Sequence, residues 1–289
     1  MTSSNTSLSI ISIVVIFCIN CSYSMNTNQD KLTFEFTGDG RKLAVYSHKN
    51  NNNSLLFFIH GAGGRSAQWS HQIEHFKKDH ETFLFDLLGH GKSQRPRQGF
   101  SFKDISNDVD ILYKKYRSKQ NIVIAHSYGV ALAIDLVLKS NNIQKLVLIG
   151  AGTPTAIEKI GPWNLPPFIL EWIRPMFSNY FADKAFHSGT DPDLVHSERS
   201  ISDQNPMFMM KELIKGMKDI PIMDLKKIHI PVLIIQGESD GLTPLSGAKE
   251  LNELLVNSEL LIVKNASHLV MIEKPDEINN LISEFIKER

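Results

Sequence analysis

The sequence predicts an α/β architecture of three layers, a mostly parallel sheet flanked by helices, with a helical cap inserted into it. Three observations predict it. Apolar runs such as Leu55 to Ile59 and Lys145 to Ile149 read as strands buried on both faces. They alternate with segments of helical spacing. The alternation is broken once, from Thr153 to about Met223, by a stretch rich in Pro, Trp, Phe and Met that holds no strand-like run.

In chain order, Leu32 to Phe36 and Lys42 to Ser47 predict an antiparallel pair turning at Gly38, Asp39 and Gly40. Leu55 to Ile59 predicts a central strand that ends in the glycine-rich run His60-Gly61-Ala62-Gly63-Gly64. A helix over Ser66 to Lys78 then leads to a strand over Thr82 to Leu87, which enters the loop Asp86 to Ser93. Ile105, Val109, Leu112 and Tyr116 repeat at helical spacing and predict a helix over Phe102 to Tyr116. Asn121 to Gly129 reads as strand, sharp turn and helix, and Lys145 to Ile149 follows as another buried strand. Within the inserted stretch, Glu171 to Phe177 and Met207 to Met217 predict short helices. The pattern resumes with a strand over Pro231 to Gln236, a helix over Leu245 to Val256, a strand over Glu259 to Val263 and an amphipathic helix over Pro275 to Lys287. The expected organisation is therefore a core over residues 25–152 and 224–289, with the cap over 153–223.

With 289 residues and 42% apolar side chains, the chain can bury the core of one large domain. Lys plus Arg and Asp plus Glu balance at 31 each, so nucleic acid is not an expected partner and a neutral substrate is favoured. Leu8 to Ile19 is apolar, uncharged and short for a membrane span, and it predicts a signal peptide over residues 1–24. No Lys or Arg stands near Met1, which departs from the usual pattern. The expected location is secreted or endomembrane-lumenal, with an uncleaved anchor or a cytosolic form from Met25 as alternatives. Both cysteines, Cys18 and Cys21, fall in this leader, so a chain from Met25 holds no disulfide, thiol nucleophile or zinc thiolate. Of the sequons at Asn52 and Asn265, the second lies close enough to His268 that a glycan would crowd that residue.

The chemistry centres on Ala125-His126-Ser127-Tyr128-Gly129. A serine on a tight strand-to-helix turn needs small neighbours two residues to either side, and Ala125 and Gly129 supply them. A serine nucleophile also needs a base, an acid to orient that base, and donors for the developing oxyanion. Asp240 and His268 each follow a predicted strand, and a parallel sheet brings such strand ends to one edge. The order serine, acid, histidine fits this turn architecture. Glu238 is a rival acid, but Asp240 stands farther into the loop and is favoured. The oxyanion donors would be the backbone N–H groups of Ala62 and Tyr128. No Gly-Lys-Ser/Thr closes the glycine-rich run, so it is not read as a phosphate loop.

These residues together resemble the α/β-hydrolase superfamily. His60 to Gly64, Asp86 to Ser93, Ala125 to Gly129, the Asp240 loop and His268 match in order over nearly the whole chain after the leader. Ala-His-Ser-Tyr-Gly-Val, Ala-Gly-Thr-Pro-Thr-Ala and Ser-His-Leu-Val-Met-Ile-Glu are similar to the animal abhydrolase-domain-containing group. The resemblance implies a three-layer α/β-hydrolase fold with a catalytic triad of Ser127, Asp240 and His268, and no metal or organic cofactor. Haloalkane dehalogenases and epoxide hydrolases of the superfamily carry an aspartate where Ser127 stands. Lipid acyltransferase-like members carry His-x-x-x-x-Asp, where this chain has Glu273 after His268. Asp86 is structural in the resembling family and is left out of the site.

The expected function is a serine hydrolase acting on an acyl ester or lipid, with transient membrane-surface contact through the cap. Two alternatives stand beside it: a hydrolase-like fold kept for binding or as an adaptor, and an amide or carbon–carbon hydrolase on the same residues. His60 and His90 are expected to fix loops, His126 to be structural, and His71, His75 and His80 to sit on solvated surfaces.

Overall fold

The computed structural model describes residues 31–96, 99–153, 162–217 and 220–288. The expected leader over residues 1–24 lies outside the described residues. β1 (Lys31–Phe36) and β2 (Lys42–His48) pair antiparallel. β3 (Ser54–Ile59), β4 (Glu81–Phe85), β5 (Gln120–His126), β6 (Lys145–Ile149), β7 (Val232–Gly237) and β8 (Ser258–Val263) complete an eight-stranded sheet in the order β1-β2-β4-β3-β5-β6-β7-β8. β2 meets β4 antiparallel, and every pairing from β4 across to β8 is parallel.

Every residue of β3 and of β7 is buried, which explains their unbroken apolar runs: a strand covered on both faces has no polar side to show. Alternate side chains serve opposite layers. Leu55, Phe57 and Ile59 join one core with α2 (Phe102–Tyr116), α3 (Tyr128–Lys139) and α9 (Leu245–Leu254). Leu56 and Phe58 join the other with Trp69, α1 (Ser70–Phe76) and α11 (Pro275–Lys287). Each such Leu or Phe contributes about 1.5–3 kcal/mol when taken out of water. α2 occupies the span its periodicity predicts, and its start is fixed by a capping box in which Ser101 Oγ accepts the Asp104 N–H while Asp104 accepts the Ser101 N–H. Where one helix is expected over Ser66 to Lys78, a 3₁₀ turn over Ser66–Trp69 precedes α1.

Between β6 and β7 the described residues form α4 (Pro167–Trp172), α5 (Arg174–Ala185), α6 (Pro192–Asp203), α7 (Met207–Gly216) and α8 (Ile222–Leu225). The helix expected over Glu171 to Phe177 is instead the end of α4 and the start of α5, divided at Ile173. Pro175 explains the division, because a proline is tolerated in the first turn of a helix and not in its interior. α6 was not expected at all. None of its residues is fully buried, although Leu194 and Val195 pack partly covered against the core, and its start is marked by Pro192 in the first turn and by Asp191 accepting the Asp193 N–H. α8 straddles the boundary expected between residues 223 and 224, and Leu225 is fully buried in the core beneath it.

His80 departs from its expected solvated setting. It is half-buried, its Nδ1 lies 2.8 Å from Ser54 Oγ, and burial lowers its pKa. No described helix is long and apolar enough to cross a membrane.

Helix and sheet approach closely at Gly129, where α3 leaves the sheet. A Cβ there would lie 2.7 Å from the Ile59 carbonyl oxygen and 2.8 Å from that of His60, both of them backbone atoms that cannot step aside. Gly129→Ala is therefore expected to cost about 1–3 kcal/mol through overpacking. Urea unfolding should show this as a lower midpoint at unchanged slope.

Candidate active site

β5, β6, β7 and β8 are consecutive neighbours, so the segments after them share one edge of the sheet. Ser127 follows β5 directly and adopts φ 52°, ψ −121° as the residue before α3. A serine in this region carries roughly 1–3 kcal/mol of backbone strain, which its surroundings must hold in place. They do so on both sides: Ser127 N donates to Ile149 O at 3.0 Å, and Val130 N donates to Ser127 O at 2.8 Å. Ser127 is partly exposed while Ala125, His126, Tyr128 and Gly129 are buried. The strained turn thus presents the serine alone.

The structure brings Asp240 and His268 together. Their side chains are almost completely buried, and His268 Nδ1 lies 2.9 Å from Asp240 Oδ2. Oδ2 also accepts Gln236 Nε2 and Thr243 Oγ1, each at 2.7 Å, while Oδ1 accepts the N–H groups of Leu242 at 2.9 Å and Thr243 at 2.8 Å. Burial opposes the carboxylate's charge, but the hydrogen bond and charge of His268 together with Thr243 outweigh it, and the Asp240 pKa lies below its ordinary value. A carboxylate accepts only, so His268 Nδ1 donates and Nε2 remains as the ring's acceptor. Glu238, the rival acid, is exposed.

Gly150, at the end of β6, forms the floor between these groups. A Cβ on it would stand 3.1 Å from His268 Nδ1 and 3.2 Å from His126 Nε2, and its φ of 57° already favours glycine. The His126 and His268 rings lie 4.6 Å apart, and His126 Nε2 donates to the His268 carbonyl at 2.9 Å. The residue before Ser127 therefore holds the backbone of His268. This accords with a structural His126, although the sequence did not show which loop it fixes.

The glycine-rich run packs against the same turn: a Cβ on Gly61 would come within 2.9 Å of Ser127 Cβ. Ala62, next along, is partly exposed. Tyr128 is the first residue of α3, so its N–H has no acceptor within the helix. The loop is anchored from below. His60 Nδ1 donates to Gly61 O at 2.7 Å and Nε2 accepts the Leu87 N–H at 2.9 Å. His90 Nδ1 donates to Leu88 O and Nε2 accepts the Gly63 N–H, both at 3.1 Å. Asp86 accepts the N–H groups of Ser66 and Lys92, a structural role as expected. From the cap, Asn205 Nδ2 donates to Gly63 O at 2.8 Å.

Thr243, Gln236 and Asn205 escaped the sequence reading. Gln236 had a visible signal, a polar side chain closing an otherwise apolar strand, and Thr243 stands three residues beyond the candidate acid. Asn205 had none, because its partner is 142 residues away. A cavity of about 440 Å³ between α5 and α6 is lined by Phe186, His187, Val195, His196 and Arg199 among others, and by none of Ser127, Asp240 and His268. Among the described residues no group of three or more His, Cys, Asp or Glu could hold a metal ion.

A family model described as the alpha/beta hydrolase fold matches residues 54–275. Protein ABHD8 of Bos taurus is 28% identical over 238 residues, which cover 79% of this chain and 55% of that protein. The chain thus spans about half the length of such animal relatives. The pimeloyl-[acyl-carrier protein] methyl ester esterase of Vibrio atlanticus is 24% identical over 80% of this chain and 94% of its own. An esterase from Exiguobacterium antarcticum superposes with a TM-score of 0.79 at 19% identity, covering 89% of this chain and 99% of that one, and so shares the fold.

Burial holds three imidazoles neutral around the site: His60 well below the ordinary range, His90 below it, and His126 down to about 3. As pH falls through the unfolded value of 6.5, the unfolded chain takes up protons that the native imidazoles refuse. The stability they give is complete above that pH and is lost progressively on acidification. Thermal melts should show a loss of about 1.4 kcal/mol per pH unit for each imidazole kept neutral, and His90→Gln should make the acid slope shallower.

Proposed function

The chain belongs to the α/β-hydrolase fold family, and from that premise we propose that it is a serine hydrolase cleaving a carboxylic ester with an apolar acyl group. The observation that carries the reading is the buried Asp240–His268 hydrogen bond at 2.9 Å, set beside the strained turn that exposes Ser127. In the proposed reaction His268 Nε2 takes the Ser127 proton as Oγ attacks the ester carbonyl. Asp240 holds the ring in the tautomer that leaves Nε2 free. The N–H groups of Ala62 and Tyr128 stabilise the tetrahedral oxyanion, each worth about 10²–10³ in rate. His268 then returns the proton to the leaving alcohol, and water activated by the same imidazole releases the acyl group from Ser127.

The esterase names among the relatives and neighbours support this reading at the level of the bond cleaved. The same residues would serve an amide or carbon–carbon substrate. A binding or adaptor role is less well supported, because binding alone gives no reason to bury a carboxylate under five donors beside a strained serine. Ser127→Ala should fold normally and lower turnover of a short p-nitrophenyl ester by at least about 10⁴-fold. Retained activity, or failure of a fluorophosphonate probe to label the wild-type chain, would count against the assignment.

Apolar side chains on the cap support the apolar substrate and contact with a lipid surface. Phe168, Trp172, Met176 and Tyr180 recur at four-residue intervals through α4 and α5 and are 73%, 82%, 71% and 58% exposed. Exposed aromatic groups in such a row match a boundary between water and lipid. Exchanging Phe168 and Trp172 together for serine should lower hydrolysis of an ester embedded in vesicles several-fold. Hydrolysis of a water-soluble p-nitrophenyl ester should stay as in the wild type.

A further inference from the structure

Five residues after His268, Glu273 closes the short helix α10 (Val270–Glu273). Its two carboxylate oxygens face different parts of the molecule. Oε2 accepts the N–H of Ser267 at 2.6 Å. Oε1 accepts the N–H of His187 at 2.7 Å and the Thr190 hydroxyl at 2.5 Å. One side chain therefore joins the residue immediately before His268 to the cap segment between α5 and α6.

The end of α5 makes a parallel set of contacts. Its last carbonyls have no partner within the helix, and the loops of the site supply one. Lys184 O accepts the N–H of Gly241 at 3.1 Å and lies 2.9 Å from Ser267 Oγ, and Ala185 O accepts the N–H of Leu269 at 3.2 Å. His268 is thus held by its two neighbours in sequence, both tied to the cap. Among the described residues Glu273 makes no salt bridge, so its acceptor capacity goes to N–H and O–H groups.

We infer that Glu273 is a positioning residue for His268: through Ser267 it locks the orientation of the imidazole to the placement of the cap segment 187–190. The inference rests on His268 acting as the base. A displacement of about 1 Å at a reacting group costs about 10²-fold in rate, so the position of the 267–268 peptide bears directly on turnover. Glutamine has nearly the same volume but sets an NH₂ donor where one of the two acceptors stood. Aspartate is one methylene too short to serve both anchors.

The experiment compares the wild-type chain with Glu273→Gln, Thr190→Val, the double variant and Ser127→Ala, using p-nitrophenyl butyrate. Active sites are counted with a fluorophosphonate probe, and folding is followed by thermal melts. Glu273→Gln should melt cooperatively and lose about 10–100-fold in kcat per active site, with KM within about threefold. The low-field proton resonance of His268 Nδ1–H should shift or broaden. Thr190→Val, which removes only the cap-side hydroxyl, should lose about 2–5-fold, and the double variant should be no worse than Glu273→Gln, as expected of groups that act as one unit. Wild-type kcat per active site in Glu273→Gln would overturn the inference, whatever its melting temperature. If that variant does not fold, Thr190→Val decides, and wild-type kcat in it overturns the inference. Full activity in Ser127→Ala is a separate result, which would remove the hydrolytic reading itself.

Discussion

A carboxylate can stay charged inside a protein only if hydrogen bonds replace the water it gives up, and the edge of this sheet is arranged around one that does. Asp240 receives five donors: two from its own loop's backbone, one each from the Thr243 hydroxyl and the Gln236 amide, and one from His268. Without that set, burial would return a proton to the carboxylate, and the orientation of His268 would lose its cause. β7 carries a polar side chain at its end for this reason. Gly150 has no side chain because the two imidazoles occupy the space that one would need.

The sheet was largely legible in the sequence. Its central strands β3, β5, β6 and β7 are buried on both faces over nearly their whole length, and double burial writes itself as uninterrupted apolar runs bounded by glycine and polar loops, whereas β8, at the edge, is only partly covered. β3, β5, β6, β7 and β8 lie where such runs are found, and α2 and α11 have the spans their periodicity predicts. Ser127, Asp240 and His268 could be proposed together as a site because each follows a predicted strand and parallel strands share an exit edge. The order of the strands was not legible, since nothing local records that β4 lies between β2 and β3.

The cap was the least legible part, and the reason is physical. A helix that buries little of itself needs only a short apolar face, and in α6 that face is a few half-buried residues, Leu194, Val195 and Ile201, set among polar ones. α4 and α5 carry large apolar side chains, but several of them point outward, so their pattern does not report a core. The contacts that join the cap to the site are mostly backbone carbonyls and N–H groups, which any sequence possesses. Asn205 and Glu273 are exceptions with side-chain roles, and each reaches a partner remote in sequence. Their kind is found by geometry.

Two helices end at the site with opposite polarity. α3 arrives with its amide end, at Tyr128, while α5 arrives with its carbonyl end, at Lys184 and Ala185, against the loop that carries His268. Aligned peptide groups make the first end partly positive and the second partly negative. A reaction that sets a negative charge beside Tyr128 and a positive one on the His268 ring would be met by a field of matching sign. That field comes from the main chain alone, so no change of side-chain protonation can switch it off.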